Sequence, residues 1–126
     1  MTLDLGYKGD VTLAIQASDV KAAIRWYEER LGFKLLYHLE GMGWCELSTP
    51  VEGVSLGIGQ AEKPRTGAGP VPTWGVQDIA AARKKLEDAG VRFDGETQEI
   101  PEMVKLATFY DPDGNAYMLV ESLAKE

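Results

Sequence analysis

Few side chains in this chain can do chemistry. His38 is the only histidine, and with Glu46 it supplies the candidate acid–base groups. A glutamate facing an apolar hollow has its pKa raised and can act as a base or hold a cation, whereas a solvated or ion-paired one does neither. A lone histidine is either a catalyst or a hydrogen-bonded surface residue, and the sequence leaves both open. Trp44 can stack on a planar or cationic ligand, or simply fill sheet surface. Cys45 has no nearby group to activate a thiolate and reads as packing. Asp111 and Asp113 form an acidic pair, but Asp111-Pro112-Asp113-Gly114 has the Asp, Pro and Gly of a type I turn, which points the two carboxylates away from a common centre. No nucleophile elbow, phosphate loop or paired-cysteine metal spacing occurs. The glycines at 53, 57 and 59 do not open a helix and are not a dinucleotide fingerprint.

The elements that must position these residues occur twice. Val11 to Ile15 runs into Ser18-Asp19-Val20, an amphipathic stretch and Leu31-Gly32-Phe33. Val71 to Val76 runs into Gln77-Asp78-Ile79, a second amphipathic stretch and Ala89-Gly90-Val91. The offset of about 59 residues is that of an internal repeat. In the first copy Val20, Ala23, Ile24, Tyr27 and Leu31 predict one helical face, with Ser18 or Asp19 as cap and Gly32 as stop. In the second, Asp78 is the cap, Ile79, Ala82, Leu86 and Ala89 the face, and Gly90 the stop. The charges Arg83, Lys84, Lys85, Glu87 and Asp88 read as a solvated face. Trp26 and Trp74 read as core. Alternation predicts strands near 34–40, 43–48 and 53–59, then a hairpin from Lys105 to Val120 around the Asp-Pro-Asp-Gly turn. Residues 11–60 and 71–121 thus form two modules joined by a Pro/Gly-rich linker, 61–70, within one 126-residue domain. The linker reads as a plain connector, with a rim or lid as the alternative. Half-domains of this size cannot each bury a core alone, so the two must share a sheet or curl around one cavity.

Composition removes several classes. A net charge of −7 and a pI near 4.7 argue against nucleic acid, whose affinity comes mostly from Lys and Arg. One cysteine excludes an intramolecular disulfide, the N-terminus lacks an apolar signal-peptide core, and no apolar run approaches the roughly 20 residues of a membrane span. The expectation is a cytoplasmic protein with no membrane partner.

The paired modules, the run Ser18-Asp19 to Trp26-Tyr27 with Leu31-Gly32-Phe33, and Phe109-Tyr110-Asp111-Pro112-Asp113-Gly114-Asn115 together resemble the vicinal oxygen chelate superfamily. Glyoxalase I, bleomycin-resistance proteins and extradiol dioxygenases belong to it. The resemblance spans about 11 to 121 and implies an α+β fold, two βαβββ modules forming a cup-shaped mixed sheet, commonly as a homodimer. It also implies where metal ligands would lie: at Thr12, near Gly57, at Val71 and at Met118. None of these side chains suits a hard cation or zinc, and a slip of one or two residues adds only Gln16 and Glu121. No metal or other cofactor is therefore expected. Without the Lewis acid that stabilises an enediolate or binds a catechol, glyoxalase I activity is not expected either. Metal-free members of the family include antibiotic-sequestering proteins.

With those positions turned inward, alternation along strands puts Thr12, Ala14 and Gln16, then Ser55, Gly57 and Gly59, then Val71 and Thr73, and then Ala116, Met118 and Val120 in the cup. Trp44 and Glu46 join them, with Cys45 and Leu47 in the core. Thr108 and Tyr110 are further inward candidates. For the strand of His38, with Leu35, Tyr37 and Leu39 on one side and Lys34, Leu36, His38 and Glu40 on the other, the cup-facing side stays open. The expected ligand residues are Gln16, Trp44, Glu46, Thr73, Thr108, Tyr110 and Met118, and the catalytic candidates are Glu46 and His38. The leading reading is metal-free binding of a small planar or cationic organic molecule. The alternative is a lyase, isomerase or dioxygenase acting in the same cup.

Overall fold

The two aspartates expected to start helices do so in the same way. In a computed structural model that describes residues 4, 6, 8–66, 69 and 71–124, Asp19 (φ −142°, ψ 100°) and Asp78 (φ −138°, ψ 98°) leave helical space. Each carboxylate accepts from an amide three residues on, Ala22 N and Ala81 N, both at 3.1 Å. This satisfies one of the orphan donors of a first helical turn. The chain divides into two compact units, Met1–Pro64 and Arg65–Glu126.

In the first unit, α1 (Val20–Trp26) buries Val20, Ala23 and Ile24. The continuous helical face expected as far as Leu31 is interrupted. At Tyr27 the ladder widens into a π turn, Tyr27–Leu31, which ends at Gly32 in the left-handed region (φ 72°) with the Gly32 amide bonded back to Tyr27 O. With the extra residue in the turn, the buried Tyr27 ring stacks on Phe33 at 5.7 Å and meets the half-buried Trp26 edge-on at 4.9 Å. Such bulges are accommodated where packing favours them.

The sheet of this unit comprises β1 (Val11–Ala17), β2 (Lys34–Leu39), β3 (Trp44–Ser48) and β4 (Val54–Gln60), ordered β1-β4-β3-β2. β1 runs parallel to β4, and the other pairs are antiparallel. α1 packs on β3 and β4. Cys45, Leu47, Leu56 and Ile58 are fully buried on that side, and each aliphatic side chain so removed from water contributes about 1.5–3 kcal/mol. The turn into β4 requires a glycine: Gly53 has φ 81°, and a Cβ there would stand 2.4 Å from Gly9 O.

The second unit repeats the plan with one strand broken. β5 (Thr73–Gly75), α2 (Ile79–Asp88), β6 (Arg92–Phe93), β7 (Gln98–Ile100), β8 (Val104–Tyr110) and β9 (Ala116–Ser122) form a sheet ordered β5-β9-β8-β6, with β7 also paired to β8. Ile79 and Leu86 face a buried layer in which Phe109 stacks on Tyr117 at 5.6 Å and meets Phe93 at 5.5 Å. Trp74, half-buried, lies opposite Leu119. Arg83 departs from the solvated face expected of α2. Its guanidinium lies 4.5 Å over the Phe93 ring and donates to Thr97 Oγ1 at 3.0 Å and Gly95 O at 2.6 Å. Lys84, bonded to Asp88 at 3.2 Å, stays in solvent.

The Asp-Pro-Asp-Gly segment is a turn, closed by Gly114 N donating to Asp111 O at 3.0 Å. The buried Asp111 carboxylate is taken up there, accepting from Asp113 N (3.0 Å), Asn115 N (2.8 Å) and Asn115 Nδ2 (2.8 Å). Among the described residues no helix is long and apolar enough to cross a membrane.

Candidate functional site

Each sheet has one side against its helix and one side turned away. In the first unit the register settles which residues share the open side. Trp44 lies opposite Gly59, Glu46 opposite Gly57 and Ser48 opposite Ser55, while Thr12, Ala14 and Gln16 on β1 pair with Ser55, Gly57 and Gly59. Directly paired residues point to the same face, so the expected open side of β1, β3 and β4 is the one observed.

The two glycines of β4 form a floor for the Trp44 indole. A Cβ on Gly57 would meet its Cη2 and Cζ2 at 2.2 and 2.3 Å, and one on Gly59 would meet Cε3 at 3.7 Å. The six-membered ring is therefore laid across both positions: at Gly57 only glycine leaves room for it, whereas a Cβ on Gly59 would make ordinary van der Waals contact with it. Two hydrogen bonds hold it: Trp44 Nε1 donates to Tyr37 Oη at 3.3 Å, and that hydroxyl donates to Glu46 Oε1 at 3.2 Å. Both are long and weak taken singly, but together they orient indole, phenol and carboxylate in one chain. Beside them Thr12 Oγ1 and Ser55 Oγ share a hydrogen bond at 3.0 Å. Glu46 makes no ion pair among the described residues, so its second oxygen is available to a donor.

Sequence reasoning missed Tyr37 because β2 does not alternate evenly. Leu35 pairs with Leu47 and Tyr37 with Glu46, and the bulge between them inserts Leu36. The bulge shifts Tyr37 and Leu39 to the open side and His38, opposite Cys45, to the helix side. There His38 Nδ1 stands 4.0 Å from Glu40 Oε1, beside a cleft of about 210 Å³ lined also by Asp19, Lys21 and Gln60. His38 and Glu46 thus lie on opposite faces of one sheet and cannot act on the same atom of a substrate. Cys45 is fully buried, and burial pushes its thiol up to about 11.

In the second unit the open side carries Met118 on β9, opposite Thr73 on β5 and Thr108 on β8. These three candidates form one row. Thr73 Oγ1 donates to Val71 O at 3.1 Å. Tyr110, at the end of β8, lies opposite Arg92, whose guanidinium sits 5.0 Å from the centre of its ring. Asp94, just past β6, lies near the Tyr110 hydroxyl. The phenol is held above its ordinary range by desolvation first and by the neighbouring Asp94 carboxylate next, with Arg92 opposing. Sequence reasoning did not find Arg92 or Asp94. The two-residue strand β6 carries too short an alternation to signal them.

The positions where the resemblance would place metal ligands do not suit a metal. Thr12 is bonded to Ser55, Gly57 lies beneath the indole, Val71 is apolar and exposed, and Met118 offers only a thioether. Glu121 does not supply the missing donor: its Oε1 accepts from Ile79 N at 2.8 Å on the helix side, capping α2. Among the described residues no three His, Cys, Asp or Glu side chains gather as ligands.

A strand, a helix and an antiparallel set of strands, made twice and each time leaving one sheet face open, define a paired βαβββ protein. The chain belongs to the glyoxalase/bleomycin resistance protein/dioxygenase superfamily, whose pattern matches residues 11–119. A member of that superfamily from Sphaerobacter thermophilus DSM 20745 is similar in structure, with 27% identity, 90% of this chain and 96% of the other covered, and a TM-score of 0.76. A glyoxalase/bleomycin resistance protein from Streptomyces sp. CB03234 is similar at 26% identity, covering 87% of this chain and 97% of its own, with a TM-score of 0.67. TnmS3, an antibiotic binding protein from the same Streptomyces strain, shares the fold at 23% identity, with 94% and 99% covered and a TM-score of 0.73. No curated protein sequence matches the chain.

Proposed function

We propose that this chain binds a planar organic molecule, cationic or neutral, by stacking it on Trp44 at the open face of the first unit. The observation that carries this reading is the indole laid across Gly57 and Gly59 and tied through Tyr37 to Glu46. A ring held in this way loses little freedom when a second ring stacks on it, and preorganisation of this kind adds affinity. The free oxygen of Glu46 favours a cation or a donor at the edge of the stacked ligand. The name of TnmS3 supports the general class, since a protein of the same fold is described as antibiotic binding. The separation of His38 from Glu46 favours binding over acid–base catalysis.

Calorimetric titration with proflavine, a planar cation, tests the reading. Trp44→Ala is expected to weaken binding by roughly 1 kcal/mol or more, and Glu46→Gln to weaken proflavine but not a neutral planar compound. Gly57→Ala, which leaves Trp44 in place but lifts its ring, should act like a milder Trp44→Ala. Unchanged affinity in all three variants would sink the proposal.

A further inference from the structure

The open face of the second unit presents a cation that its own surroundings do not use. Arg92 is exposed and held by its ring partner, the guanidinium lying 5.0 Å from the centre of Tyr110. A carboxylate stands close by in sequence, Asp94, yet the two form no ion pair within 4.0 Å. The hydroxyl of Tyr110 stands near Asp94. One residue thus neighbours both: its ring carries the guanidinium, and its hydroxyl lies near the acid. Arginine is pre-formed as a planar fork of donors that matches a carboxylate with two parallel hydrogen bonds. Next to that fork the sheet is largely apolar. Ala116 lies opposite Tyr110, and Met118 lies opposite Thr108.

We propose that this face binds an organic anion, a carboxylate on an apolar or aromatic body, with the carboxylate on the Arg92 fork and the body over Ala116 and Met118. The site is separate in residues and in charge preference from the one proposed at Trp44, and it does not depend on that reading. Asp94 is its natural competitor. Released from the phenol, it would be free to pair with Arg92, so Tyr110 is a positioning residue here as well as a platform.

The experiment compares 2-naphthoate with its uncharged analogue 2-naphthamide by calorimetric titration of the full chain, and the readout is the ratio of their affinities. The wild type is expected to prefer naphthoate by about tenfold, the scale of hydrogen bonds to a charged group. Arg92→Gln should bring the ratio to about one, and Arg92→Lys, which keeps the charge without the fork, should fall between. Tyr110→Phe should reduce the ratio by freeing Asp94, and adding Asp94→Asn to that variant should restore it. A purely structural Tyr110 would not give that rescue. Trp44→Ala should leave the ratio unchanged, which separates failure of this proposal from failure of the other. Equal affinities in the wild type, no measurable binding of naphthoate at millimolar concentration, or an undiminished ratio in a folded Arg92→Gln protein would each overturn the proposal.

Discussion

Compared across their helix sides, the two units are nearly the same object. Across their open sides they have little in common. On the helix side Asp19 matches Asp78 as a cap, and the last strand of each sheet reaches back to the start of its helix. Gln60 Oε1 accepts from Val20 N at 3.1 Å, and Glu121 Oε1 from Ile79 N at 2.8 Å. Gln60 also bonds to Ser18 O. On the open side one unit has a tryptophan laid on glycines and tied to a carboxylate, and the other an arginine stacked on a tyrosine beside methionine and threonine. The repeated chemistry is what makes the fold. The chemistry that differs lies on the faces not required for folding, and that is where ligand selection is to be sought.

The two units differ most in energy at the last hairpin of each. Asp111 serves three donors from a buried position. Its counterpart in the first unit, Thr49, uses one hydroxyl, donating to Val54 O at 2.7 Å and accepting from Val51 N at 3.2 Å. Asp111→Ala should cost about 3 kcal/mol in urea unfolding and Thr49→Ala about 1 kcal/mol, because a lost charged acceptor strands more donors than a lost hydroxyl. Equal losses would show that the two turns are held by something other than these side chains.

A second contrast lies in the core, where Cys45 in β3 and Ala107 in β8 occupy matching buried places. Only the cysteine titrates. Its folded pKa, about 11, lies above the ordinary value of 9.0, so the folded state keeps the proton longer than the unfolded state. The contribution of Cys45 to stability should therefore be constant below about pH 9 and fall as pH rises from there towards 11, by about 3 kcal/mol in total. Cys45→Ala should make the fall between about pH 9 and 11 smaller in denaturant titrations, leaving the part due to the raised Tyr110 phenol, and an unchanged slope would assign it to groups other than Cys45.

The smallest expected effect sharpens the likeness itself. Glu121→Gln converts the second cap into the chemistry of the first and should change stability by no more than about 0.5 kcal/mol. Glu121→Ala should cost about 1 kcal/mol by stranding the Ile79 amide. A thermal unfolding series reads both. A loss as large for Gln as for Ala would mean that the carboxylate, and not the hydrogen bond, is what α2 requires.

The scaffold was legible because its signals are local. A cap at Asp19 or Asp78, a stop at Gly32 or Gly90 and the Asp111 turn each depend on a few neighbouring residues. β3 and β4 alternate cleanly, which was enough to put Trp44 and Glu46 on the open side and Cys45 and Leu47 inside. β2 was not legible because Leu35, Leu36 and Leu39 offer apolar side chains on both faces, so the pattern carries no parity and the bulge at Leu36 leaves no trace. The π turn at Tyr27 and the stacking of Arg83 on Phe93 depend on partners brought close only by the fold. For the same reason Arg92 and Asp94 went unnoticed: a two-residue strand gives almost no alternation to read.

The glycines of β4 make the level of the first open face adjustable. Where other sheets present side chains anchored in their own strand, here the ground is a single indole lent by the neighbouring strand and resting on bare main chain. Beneath it the β4 backbone is paired on both flanks, to β1 and to β3, so uncovering it would strand few polar groups. A smaller residue at position 44 would open a trench along Gly57 and Gly59 without dismantling the sheet. A guest too thick for the present surface would then be admitted through one change of residue.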